Sequence, residues 1–237
     1  MSRLSWAHHL RLLHWRPVET ANRPASTRAV PTARRPRRGG GPDGNERLTG
    51  ATAALLLLLL AAEGVTILLL RPLFSAHVFV GMLLIPPVAL KLGSTGWRFV
   101  RYYQRDPAYR RKGPPPLPLR LLAPLVVAST VAVFATGVTL LAVGPAGGVV
   151  LGLHKASFVV WLGATGVHVL AHARRVPALA AADWHARARE GAVGGVLRRR
   201  LALVGATAAG VVLAVATLRY AHPWLHWLAA HGGDDGG

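Results

Sequence analysis

The side chains able to do chemistry in this sequence gather in its apolar segments. Between Val149 and Ala171, His154, Phe158, Trp161, Thr165 and His168, followed by His172, recur at steps of four, three, four, three and four. That spacing lays them along one helix face. A second apolar segment carries His77 and a third carries Glu63. Imidazoles and carboxylates move protons or bind metals, and away from water they need a partner or a use. His77 lies six residues from Arg71, and His154 six residues from Gly148, at the ends of their segments. At about 1.5 Å rise per residue both sit roughly 9 Å inside. Two imidazoles at one depth on different helices meet the requirement of a six-coordinate haem, one on each side of the ring. His168 follows His154 by 14 residues, or about 21 Å, the separation at which one helix can serve two stacked haems. The residue 14 positions beyond His77 is Lys91, so a second site lacks its imidazole.

Glu63 lies seven residues before Leu70, near the layer of His77 and His154. A charged carboxylate there is costly, so it either takes up a proton when an electron arrives or bonds to Thr66 or a neighbouring helix. Arg71 and Lys155 lie at the same end, placed to meet haem propionates or to anchor in headgroups. Phe158 and Trp161 would pack beside the ring. His222, His226 and His231, interleaved with Pro223, Trp224 and Trp227, read as an aromatic interfacial anchor rather than a metal site. The absence of cysteine removes disulfides, cysteine-ligated zinc, iron–sulfur clusters and covalent haem attachment. No serine, cysteine or aspartate constellation accompanies the histidines, which argues against hydrolysis.

The elements that position these residues are read from hydropathy. The chain has 237 residues, is 52% hydrophobic with mean hydropathy +0.36, and carries a net charge of +19. Its arginines fall between long apolar runs, which points to a membrane protein rather than a nucleic-acid binder. A crossing helix needs about 20 apolar residues. Five stretches meet or approach that length: Leu48 to Leu70, Leu73 to Gly93, Leu119 to Val143, Val149 to Ala171, and Leu201 to Leu218. The expected fold is an all-α integral membrane protein of five transmembrane helices, the first four forming a haem-binding four-helix bundle. Residues 1–48 are an Arg/Pro-rich tail, with a short interfacial helix over 3–15 and disorder over about 17–46; 49–172 are the bundle; 173–200 are a basic connection; 201–220 are the fifth helix; and 221–237 are a tail.

The tail before the first span holds ten Arg, and the connections Arg98–Arg120 and His172–Arg200 hold seven basic residues each. Five spans put all three on one side. The basic-inside rule makes that side cytoplasmic and the C terminus extracytoplasmic, in the cell's inner (plasma) membrane. The opposite connections, Arg71-Pro72 and Gly144 to Gly148, are short enough to force antiparallel pairing of spans one with two and three with four. Small residues in the third span (Ser129, Thr136, Gly137), fourth (Gly163, Gly166) and fifth (Gly205, Ala209) permit close helix contacts. Pro86-Pro87 should break or bend the second span.

The segments Ser75-Ala76-His77-Val78-Phe79-Val80-Gly81, Leu153-His154-Lys155-Ala156-Ser157-Phe158 and His168-Val169-Leu170-Ala171-His172 resemble spans of the cytochrome b561-like and related bacterial membrane b-type cytochromes. The stretch from Lys91 to Lys112 is similar to uncharacterised actinobacterial proteins of that kind. The resemblance covers about residues 49–172. It implies a bundle binding haem b through His77 and His154, carrying electrons between a quinone or a partner redox subunit and an acceptor. The competing reading is a cofactor-free transporter subunit or scaffold whose basic tail recruits a cytoplasmic partner or binds anionic lipid.

Overall fold

The structure, a computed structural model, describes residues 40–111, 113, 117–173 and 195–231. The short N-terminal helix, most of the expected disordered tail, the polyproline spacer at 114–116 and most of the second basic connection lie outside those residues. The described chain is all helical. Helix α1 covers Gly41–Leu68, α2 Phe74–Tyr103, α3 Pro107–Arg111, α4 Leu117–Val143, α5 Gly148–His172, α6 Val196–Thr217 and α7 His222–Ala230, with 3-10 turns at Gly144–Ala146 and Leu218–Ala221. Five helices, α1, α2, α4, α5 and α6, are long and apolar enough to cross a membrane. Their outward faces are greasy along the whole length: Leu68 is 84% exposed, Val149 81% and Leu170 79%. Such an exterior is compatible with hydrocarbon and not with water.

Each span holds to its expected core and differs at its ends. The first starts seven residues before Leu48, so residues 41–46 are helical rather than irregular. Gly40, at φ 74°, turns the chain into it, and Pro42 occupies the first turn, where its missing N–H costs nothing. The second continues ten residues beyond Gly93 to Tyr103. It also runs unbroken through Pro86 and Pro87.

That continuity has a compensation in the fifth span. Pro87 has no N–H to return to the carbonyl of Leu83. The freed carbonyl faces Gly210 of α6, where an added Cβ would collide with it. Backbone meets backbone there, and Met82, Leu83 and Ala214 form the buried centre of the molecule with Leu59, Phe79 and Leu213 around them. The close fifth-span contact is thus Gly210, one position beyond Ala209. Spans one and two pair, as do three and four, and α6 packs along α2. The second span therefore has two long neighbours, α1 and α6, while α5 packs along α4 and has no comparable contact with α2.

Beyond α6 the chain folds back instead of lying in the interface. Trp224 is buried, packs against Phe74 with ring centroids 5.9 Å apart, and donates its Nε1–H to the carbonyl of Leu140 at 3.1 Å. Leu140 lies in the last turn of α4, whose carbonyls lack helical partners, so the indole supplies one. Trp227 by contrast is 40% exposed.

Candidate functional site

Two polar layers cross the spans. In the layer nearer the short turns, Glu63 of α1 reaches His77 of α2, Oε1 to Nδ1 at 2.8 Å. Both are largely buried, at 13% and 23% side-chain exposure. Thr66, one turn further along α1, donates to the Glu63 carbonyl at 2.7 Å and lies 3.1 Å from Oε2 and 3.5 Å from His77 Nδ1. The carboxylate is thus held between a hydroxyl and an imidazole. A Cβ at Gly81 would lie 3.7 Å from Glu63 Oε1, so glycine there leaves room beside the acid.

On the other helix pair, His154 Nδ1 lies 3.0 Å from the hydroxyl of Thr136 on α4. A Cβ at the next residue, Gly137, would come within 3.1 Å of His154 Cε1. A glycine and a threonine side by side thus seat the ring. His77 and Glu63 are both within electrostatic reach of His154, which places the three groups in one region.

The two histidines share one arrangement, each with Nδ1 engaged by a side chain, and His154 has a further hydrogen bond to the backbone of Val133. A histidine that ligates a metal through one ring nitrogen commonly has the other fixed by a hydrogen bond, which sets the tautomer and the ring plane. Glu63, backed by Thr66, and Thr136 hold that position here, and neither the depth match nor the helical face of α5 reveals the two threonines. Threonine spacing across helix pairs is the only sequence signal for Thr136, and it is weak.

The remaining expected residues are less closely joined. Phe158 and Trp161 stack on each other with centroids 6.1 Å apart, and Trp161 donates Nε1–H to Thr130 of α4 at 3.1 Å. Arg71 and Lys155 are exposed. In the lower layer Lys91 donates to the carbonyl of Thr49 on α1 at 2.8 Å and is within electrostatic reach of His168. Nδ1 of His168 and the hydroxyl of Thr165 are buried without partners. His172 stacks on His168, with centroids 4.6 Å apart, and its Nδ1 bonds the His168 carbonyl at 2.9 Å.

Among the described residues no group of three or more His, Asp or Glu side chains could hold a metal ion by itself. A porphyrin supplies four nitrogens of its own and would need only two from the protein, a smaller demand than a bare ion makes. No protein-family model matches the chain, and neither a curated protein nor a solved structure is detectably similar to it. The likeness to b561-type cytochromes accordingly rests on the quoted segments alone. What the fold carries without it is a multi-pass, all-helical membrane protein.

Proposed function

We propose that the chain is a membrane haem b protein that carries electrons, with His77 and His154 as the axial pair. The observation that carries this reading is the matched state of the two imidazoles, each with Nδ1 held by a side chain.

A haem held by His77 and His154 would supply a one-electron couple, with two protein ligands favouring electron transfer over oxygen chemistry. The protein's part follows from the contacts. Glu63 orients His77 and enriches its ring with negative charge, while Thr136 orients His154 without charge. Arg71 and Lys155, at the same end, are suited to neutralise propionates. In this reading electrons pass between a quinone or a partner redox subunit and an acceptor.

The test is a dithionite-reduced minus oxidised absorption spectrum of the detergent-purified protein from haem-sufficient cells. Sharp α and Soret bands, lost in both His77→Ala and His154→Ala, are expected. A colourless wild-type protein overturns the reading, and would leave the buried Glu63–His77 pair as the starting point for a transport function.

A further inference from the structure

The opposite end of the helix bundle contains a cavity that the haem reading does not use. Its volume is about 470 Å³, and it is bounded by the start of α1 (Gly41, Asn45), the far end of α2 (Trp97, Arg101), Tyr109 of α3 and Arg199 at the start of α6. Arg101 is the informative residue. One edge of its guanidinium meets Asp106, Nη2 to Oδ2 at 2.6 Å, and Asp106 is itself fixed by the backbone N–H of Ala108 at 2.9 Å. The guanidinium also sits 5.6 Å from the Trp97 ring centroid. Its Nε, however, is buried with no hydrogen-bond partner. A planar guanidinium offers its donors as a fork, and here the carboxylate takes only one tine. Arg199, only 7% exposed, brings a second cation to the cavity wall from another span.

The cavity's neighbours indicate what kind of acceptor belongs there. Trp97 and Tyr109 are amphipathic aromatics of the type found at headgroup level, and Trp97 is 55% exposed, open toward the lipid. The positive end of the α1 dipole, at Gly41, faces the same space. Basic pockets between transmembrane helices at this depth suit anionic headgroups. We propose that this cavity is a phosphate site that takes the headgroup of an anionic phospholipid, with the Arg101 guanidinium, part of the cavity wall, as donor and Trp97 beside it. By joining the starts of α1 and α6 to the end of α2, a bound headgroup would fix the fifth span to the first two.

The experiment uses the full chain in lipid nanodiscs of phosphatidylcholine alone or mixed with phosphatidylglycerol, followed by native mass spectrometry of retained lipid. Phosphatidylglycerol should be retained over phosphatidylcholine, and Arg101→Gln should lower that preference roughly fivefold, as expected for one arginine contact. Trp97→Leu, at an exposed position, should also weaken retention and covers the case in which Arg101→Gln fails to fold. Equal retention of the two lipids overturns the proposal. So does protection against heating by inorganic phosphate without retention of phosphatidylglycerol, which would assign the cavity to a free anion.

Discussion

Glu63 and Thr136 play parallel parts with different charge, and that difference makes them separable. Both bond to Nδ1 of a histidine, one as a carboxylate at 2.8 Å and one as a hydroxyl at 3.0 Å. Glu63→Gln keeps a hydrogen-bonding partner and removes the charge. With haem bound, less electron density on His77 should raise the midpoint potential by about 60 mV, a tenfold change for a one-electron couple. A potentiometric titration reads it, and an unchanged potential would show that Glu63 does not act through the ligand. Thr136→Val removes the bond and leaves the charge alone. Its expected effect is a roughly 10- to 100-fold loss of haem affinity with little change in potential, measured as haem content per protein. The histidines and the acid are legible from the sequence because polar residues stand out in apolar helices. Thr66 is legible too, as the partner of Glu63 one turn along the same helix, whereas the seating of His154 by Thr136 and Gly137 is not, since threonine and glycine are ordinary in membrane spans and only the neighbouring helix gives them that role.

At the scale of elements, the contact between α2 and α6 depends on one glycine. Gly210 faces the carbonyl freed by Pro87, whereas a Cβ at Gly205 in the same helix meets nothing within 4 Å. Gly210→Leu should destabilise the protein by about 1–3 kcal/mol through overpacking, and Gly205→Leu should leave stability nearly unchanged. Thermal unfolding followed by tryptophan fluorescence in detergent compares the two, and equal midpoints would refute the contact. The five spans themselves are readable from hydropathy because each must be apolar around its circumference to face lipid. Which glycine faces which helix depends on rotation about the axis, and a uniformly apolar helix does not encode that in its pattern. The same limit explains why the fifth span is read apart from the first four although it packs along the second. It also explains Trp224, an aromatic beside the interface whose burial depends on the open carbonyl of Leu140.

For the whole molecule, charge asymmetry predicts an orientation that packing alone does not determine. Residues 1–47 carry ten Arg, and the two connections at the same end carry seven basic residues each, against Arg71, Lys155 and Arg219 near the opposite end. Moving the basic end across the membrane would oppose the rule that places such segments in the cytoplasm. The chain has no cysteine, so single cysteines can report sidedness without background. Gln104→Cys, exposed where α2 ends, lies at the basic end, and Ala146→Cys lies in the exposed turn between α4 and α5. In intact cells a membrane-impermeant maleimide should label Ala146→Cys and spare Gln104→Cys, and permeabilisation should expose both. That pattern puts the His77–His154 layer toward the outer face and the Arg101 cavity in the cytoplasmic leaflet, where anionic lipids concentrate. The reverse pattern would move the cavity to the leaflet poorer in its proposed ligand while leaving the geometry of the histidine pair intact, so the two proposals stand or fall separately.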